Sequence, residues 1–234
     1  MTDRPFDIEI GSAEATERGF MQQVYLWMSL GLALTGAIAW AVANNPSLMR
    51  ALLGNSFGFL FLVIAQLGLV FWLSAAISRI SLTAATIGFS VYATLNGVIL
   101  STIFIVYAAS SIASTFFITA GTFAAVSIYG FTTKQNLTSI GSFSFMALIG
   151  IIIASLVNMF LKSPAIEWII SYAGVAIFIG LTAYDTQKLK AIHQQGFSGG
   201  EMMQKLALLG ALTLYLDFIN LFMMLLRIIG RRRD

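Results

Sequence analysis

The sequence predicts an all-α integral membrane protein with seven transmembrane helices. Of its 234 residues, 58% are hydrophobic and only 10% are charged, and the mean hydropathy is +0.87. Soluble domains carry about a quarter charged residues, so a water-exposed fold could not hide this much apolar side chain. The apolar residues also form runs of roughly 20, the length at which a helix crosses a hydrocarbon core about 30 Å thick.

Seven such runs follow one another along the chain. Backbone groups in lipid must be satisfied within their own segment, so each run is expected to be helical. Barrel strands would alternate over about ten residues, and these runs do not alternate. The runs cover approximately residues 20–43, 57–78, 82–107, 112–131, 141–161, 166–187 and 206–227.

The runs are interpreted as one domain with short polar ends. Residues 1–19 form a polar, net acidic N-terminal tail without the basic start and apolar stretch of a cleaved signal peptide. Residues 20–230 form a single membrane domain, and residues 231–234 a basic C-terminal tail. The hairpin between the last two helices is expected to turn at the glycines of residues 196–200.

The basic residues are interpreted as topology signals. The net charge is +3, but Lys and Arg are scattered between the runs and form no stripe with aromatic residues, which argues against a nucleic-acid partner. The inner loops favour a cytoplasmic N-terminus. The side of the C-terminus stays open, because the basic residues divide almost evenly if the last segment crosses the membrane. With no cysteine and no cofactor motif, neither a cofactor nor an enzymatic activity is expected.

Asp185 and Asp217 are the two acidic residues well inside the apolar runs. A charged Asp at a helix centre costs about 2.5–3.5 kcal/mol even on lenient scales, and such residues face the protein interior or water. The structural alternative is a protonated Asp that only joins two helices by a hydrogen bond. Gly210, Thr213 and Asn220 share a small, polar helix face with Asp217 and are candidate pore-lining residues.

The two aspartates are expected to approach each other. Their helices are consecutive and hence antiparallel, and a turn near residue 198 leaves a height difference of about 9 Å, which tilt can absorb. Two carboxylates at this spacing do not both ionise easily, so they should share protons. The protonated pair would join two helices. The doubly ionised pair would repel and bind a hard cation such as calcium weakly, which favours passage over storage.

Residues 215–230, YLDFINLFMMLLRIIG, together with residues 180–190, GLTAYDTQKLK, resemble the Bax inhibitor-type transmembrane family, and most closely its bacterial inner-membrane members. The resemblance extends over the chain from about Phe20. It implies seven helices with the last at the centre of the bundle and a location in the bacterial inner membrane. It also implies a pH-gated calcium leak whose paired aspartates are Asp185 and Asp217.

The chain departs from the family's pattern in its second helix. Characterised calcium-leak members carry an acidic residue there and an arginine near its end that latches one aspartate. Here the helix offers Gln66, with Ser74 and Arg79 near its end, and the spacing does not place Arg79 on the latch position. The aspartate pair is therefore carried over and the arginine is not. The direction of the pH response and the selectivity for calcium stay open.

Two other functions stay open. Family members are associated with modulating a membrane-anchored protease and with stress or cell-death control, so a regulator that binds another membrane protein is the second hypothesis. An intramembrane aspartyl protease is the third, because AYD at residues 183–185 fits the first motif of such enzymes. Their second motif, Gly-x-Gly-Asp, is absent before Asp217. The expected partners are the lipid bilayer, calcium or another cation, and a membrane protein.

Overall fold

The computed structural model describes residues 5–194 and 200–233, nearly all of them helical. Extended backbone in this part of the chain includes an antiparallel bridge between Tyr107 and Arg232. The helices within the described ranges are α1 (Pro5–Ala43), α2 (Pro46–Leu53), α3 (Ser56–Ala76), α4 (Leu82–Leu100), α5 (Ile103–Val106), α6 (Ala109–Thr132), α7 (Thr138–Leu161), α8 (Pro164–Gln194) and α9 (Glu201–Ile229).

In the described part of the chain, seven segments are long and apolar enough to cross a membrane, so the predicted all-α class with seven transmembrane helices is confirmed. α8 continues past the apolar run to Gln194, and α9 begins at Glu201, because polar side chains at a helix end can reach the interface. The seven segments are Gly19–Ala43, Ser56–Ala76, Leu82–Val106, Ala109–Thr132, Thr138–Leu161, Pro164–Ile192 and Glu201–Ile229.

Short polar connections separate the apolar helices. Asn45 caps α2, where its side chain accepts a hydrogen bond from the backbone N–H of Leu48, and Asn55 caps α3 in a similar way. α7 ends where Lys162 adopts a left-handed conformation with φ 49°. The two asparagine side chains satisfy backbone N–H groups that have no partner within the helix. The turn expected at residues 196–200 lies mostly outside the described residues.

The contacts divide the chain into two compact units. The first contains Met1–Ile99 and Leu189–Leu212, and the second contains Leu100–Lys188 and Thr213–Asp234. α8 and α9 contribute residues to both units, so the division falls within helices. The single domain over residues 20–230 stays a prediction.

In the first unit, α1 contacts α4. The start of α9 contacts the turn that follows α3. The hydroxyl of Thr35 donates to the carbonyl of Ala93 at 2.9 Å, and Gly97 lets the two helices approach closely. The ammonium of Lys205 donates to the carbonyl of Ile80 at 2.8 Å. Polar contacts between helices matter in such proteins because apolar surfaces gain little from leaving lipid.

The second unit is built on α7, α8 and α9. The α8 and α9 segments run antiparallel, since Gly174 lies against Met224 and Asp185 against Asp217. The residues after α9 contact the start of α6, where the backbone N–H of Ala108 donates to the carbonyl of Arg231 at 3.1 Å. The buried apolar cluster of this unit comprises Ile151, Ile170, Ile177, Phe178, Leu181 and Leu221.

α9 is the most buried of the seven spans. In its most apolar window 61% of the residues are buried, against 6% in α3, the least buried span. A central position of this helix in the bundle stays a prediction.

Candidate functional site

Asp185 of α8 and Asp217 of α9 hydrogen-bond to each other through their side chains in the second unit. The structure therefore brings together the two carboxyl groups that the sequence singled out. A carboxylate only accepts hydrogen bonds, so a bond between two carboxyl groups requires a proton on one of them. Proton sharing between the two carboxyl groups stays a prediction.

The two carboxyl groups lie in unequal surroundings. Asp217 is only 5% exposed, and its Oδ2 has no hydrogen-bond partner among the described residues. Asp185 is half-buried, and Lys188, one helical turn further, attracts it electrostatically. An ionised carboxylate is costly to bury without a counter-charge. Burial therefore penalises a negative charge more strongly at Asp217 than at Asp185.

Two neighbouring helices enclose the part of α8 that carries Asp185. On one side Gly130 of α6 lies against Ala183, so closely that a Cβ atom would collide with the backbone. On the other side Gly141 of α7 lies against the ring of Tyr184. Glycine permits such close approach because it has no side chain. The two residues before Asp185 are therefore closely packed against α6 and α7.

An aromatic cluster lies beside Asp217. The next residue, Phe218, packs edge-on against Phe116 and Phe123 of α6, with ring centroids 5.4 and 5.5 Å apart. Edge-to-face pairs of this kind contribute about 0.5–1.5 kcal/mol beyond their buried area. α6 thus contacts both helices that carry the aspartates.

Comparison with known proteins identifies the family. The family model "Inhibitor of apoptosis-promoting Bax1" matches residues 17–234. The chain belongs to the Bax inhibitor family. It is 54% identical over 215 residues to the inner membrane protein YbhL of Escherichia coli strain K12, which covers 92% of each chain.

Two further relatives are less similar to this chain. An uncharacterized protein of Borreliella burgdorferi is 45% identical over 215 residues, with 92% of this chain and 93% of the relative covered. The uncharacterized protein RP147 of Rickettsia prowazekii is 44% identical over 217 residues, with 93% and 91% covered. The E. coli relative and the seven apolar helices support a multi-pass location in the inner membrane. The side of the N-terminus stays a prediction.

The remaining predicted site residues of this Bax inhibitor family member lie in different surroundings along α9. Gly210 belongs to the first unit, where side chains of Leu189 and Val24 pack against it. Thr213 and Asn220 are half-buried in the second unit, and the amide of Asn220 donates to a carbonyl of its own helix at 2.8 Å. Their pore-lining role stays a prediction.

The second of the seven spans, α3, contacts the next span through a polar side chain. The amide of Gln66 donates to the hydroxyl of Tyr92 at 3.0 Å in the first unit. Gln66 is the polar residue that this helix offers where the family's pattern predicts an acid. In this chain the position joins α3 to α4.

The aspartate pair is not a complete metal site. Within residues 5–194 and 200–233, no group of three or more acidic or histidine side chains is arranged to hold a metal ion. The pair offers at most about four carboxylate oxygens, whereas calcium takes 6–8 oxygen ligands. Weak calcium binding by the pair stays a prediction.

Sequence reasoning missed the contribution of α6. Its buried residues include hydroxyl side chains, and Ser127 accepts a hydrogen bond from the hydroxyl of Thr186 at 3.5 Å. The signal was present as serine and threonine residues four positions apart, beginning at Ser111. Hydroxyl residues are common in membrane helices, so this spacing alone does not indicate a functional site.

Proposed function

We propose that this Bax inhibitor family protein is a pH-sensitive cation leak of the inner membrane, with calcium as its first candidate ion. The observation that carries the proposal is the hydrogen bond between Asp185 and Asp217, two carboxyl groups on different helices in largely apolar surroundings. In this proposal the pair is the gate, and its shared proton keeps the gate closed.

Loss of the shared proton replaces the hydrogen bond between the two carboxyl groups with an electrostatic repulsion. A hydrogen bond between membrane helices contributes on the order of 1 kcal/mol. Two unit charges about 4 Å apart repel by about 4 kcal/mol at an effective dielectric constant of about 20. The repulsion outweighs the lost link, so α8 and α9 separate at the pair when both carboxyl groups ionise. The leak is therefore expected to rise as the pH rises.

The charged neighbour of the pair moderates this repulsion without removing it. Lys188 of α8 acts on Asp185, and α6 and α7 contain no Asp, Glu, Lys, Arg or His. One ammonium cannot neutralise two carboxylates. A net negative charge is left in the open state, and it attracts a cation. Because the pair alone is an incomplete ligand set, the cation leaves again, as passage requires.

Flux into liposomes tests the proposal. Purified protein is reconstituted, and entry of calcium is followed with an enclosed indicator dye across a range of pH. The parent flux should rise with pH by at most about tenfold per unit, since one proton is released. Asp217→Asn cannot ionise and should stay at the low-pH level throughout. Glu167→Gln is the matched control, because it removes an exposed carboxylate from α8 at its opposite end. Equal flux from Asp217→Asn and the parent at every pH would contradict the gate.

A further inference from the structure

We propose that α6 forms the polar wall of the cation path, and that Phe123 and Phe218 form its apolar constriction beside the aspartate pair. This inference rests on the proposed leak, because it assigns the route by which an ion reaches the pair. All the residues involved belong to the second unit.

Buried hydroxyl side chains recur at every fourth position of α6, apart from one phenylalanine. Each step of four residues turns by about 40° around the helix, so the series forms one ridge that winds round α6. From the first to the last they extend about 24 Å, most of a hydrocarbon core about 30 Å thick. The series is Ser111, Thr115, Thr119, Phe123 and Ser127, all of them buried.

Thr115 supplies an independent observation. Its side chain is 0% exposed, and its Oγ1 has no hydrogen-bond partner in the part of the chain that the structure describes. Thr119 differs, because its hydroxyl donates to the carbonyl of Thr115 at 2.8 Å. A buried polar group without a partner costs about 1–3 kcal/mol. Water or a hydrated cation passing along this ridge would supply the missing partner.

The two ends of the series have defined neighbours. At one end the hydroxyl of Ser111 accepts a hydrogen bond from the backbone N–H of Arg231, just after α9 ends. At the other end the hydroxyl of Ser127 meets that of Thr186, which follows Asp185 in the chain. The hydroxyl ridge therefore extends from the C-terminal end of α9 to Thr186, the residue that follows Asp185.

Phe123 interrupts the series between Thr119 and Ser127. Its buried ring lies edge-on against Phe218, with centroids 5.5 Å apart, and Phe218 follows Asp217. An apolar constriction of this kind excludes water and blocks ions by dewetting. Because Phe218 is attached to the helix that carries Asp217, repulsion within the aspartate pair moves it away from Phe123. The constriction and the pair would then open together.

Cysteine accessibility tests the wall without depending on which ion passes. The chain has no cysteine, so each substitution introduces a single thiol. Thr115→Cys is compared with Phe117→Cys, two residues away on the same helix but 72% exposed and expected to face lipid. A charged, membrane-impermeant thiol reagent is applied from each side in turn. Rates are normalised to those with an uncharged, permeant reagent, which corrects for intrinsic thiol reactivity.

Thr115→Cys should react about tenfold faster than Phe117→Cys, the ratio that corresponds to about 1.4 kcal/mol. Ser127→Cys lies beyond the constriction. At a pH where the parent is closed, it should become reactive from the Ser111 side only when Phe123→Ala is also present. Equal, slow reaction of Thr115→Cys and Phe117→Cys would overturn the path. If no variant conducts any cation but Thr115→Cys still reacts rapidly, the result contradicts the proposed leak. It still supports a water-accessible wall on α6.

The constriction itself is tested by flux at a pH where the parent is closed. Phe123→Ala should raise calcium entry about tenfold or more, if removing the ring lowers the barrier by at least about 1.4 kcal/mol. Phe117→Ala, the matched control, should leave calcium entry unchanged. Phe123→Leu keeps most of the volume and serves if the alanine variant does not fold; it should raise the flux less. An unchanged flux from a folded Phe123 variant would overturn the constriction.

Discussion

Thr186 and Ser127 place their hydroxyl oxygens 3.5 Å apart, directly beside the aspartate of α8. This contact joins α6 to the helix that carries Asp185. One helical turn further along α6, Gly130 lies against Ala183. Together the two contacts hold the part of α8 that carries Asp185 against α6.

The close approach at Gly130 predicts a stability effect. In Gly130→Ala the new Cβ atom would meet the backbone of Ala183, which cannot move away as a flexible side chain could. We expect the free energy of unfolding to fall by about 1–3 kcal/mol, the usual cost of overpacking. Gly121→Ala, on the same helix with no atom within 4 Å of the new Cβ, is the control. It should be neutral or gain up to about 1 kcal/mol from helix propensity. Thermal unfolding in detergent measures both, and equal melting temperatures would argue against the packing described.

The two aspartates should behave as one unit. Asp185→Asn and Asp217→Asn each remove the second negative charge, so each variant should leak at the low level at every pH. The double variant should leak no less than either single variant, because residues in one network are not additive. Flux at mildly alkaline pH, with Glu167→Gln alongside, measures this coupling. Two independent, additive reductions would show that the aspartates act separately.

Lys205 should stabilise the first unit through its buried ammonium. It donates to the carbonyl of Ile80, while Glu201 accepts from the backbone N–H of Leu82. Lys205→Met keeps the length of the side chain but leaves the carbonyl unpaired, so a loss of about 1–3 kcal/mol is expected. Lys134→Met changes an exposed lysine and is the control. A melting temperature that falls equally in both variants would point to a general charge effect.

Hydropathy alone predicted the helices because the bilayer imposes both their length and their hydrogen bonding. The approach of Asp185 and Asp217 followed from helix rise and antiparallel direction, which need no knowledge of packing. These two predictions depend on quantities that any membrane helix shares.

The lateral packing of the helices could not be predicted in the same way. In lipid every face of a helix is apolar, so periodicity does not show which face meets protein. Gly210 shares a face with Asp217 but packs against Leu189. Conversely, Ser127 and Phe123 come to lie near the aspartates only because α6 packs against α8 and α9. Such partners are set by the tertiary fold.

The shared proton between Asp185 and Asp217 is tested most directly by infrared spectroscopy of the reconstituted protein during a pH titration. The parent should show a protonated carboxyl stretching band at neutral pH that disappears as the pH rises. Asp217→Asn should lack this band, since Asp185 beside Lys188 is ionised when it is alone. Glu167→Gln should retain it. A parent without a protonated carboxyl at neutral pH, or a band that Asp217→Asn leaves unchanged, would contradict the proton-sharing pair.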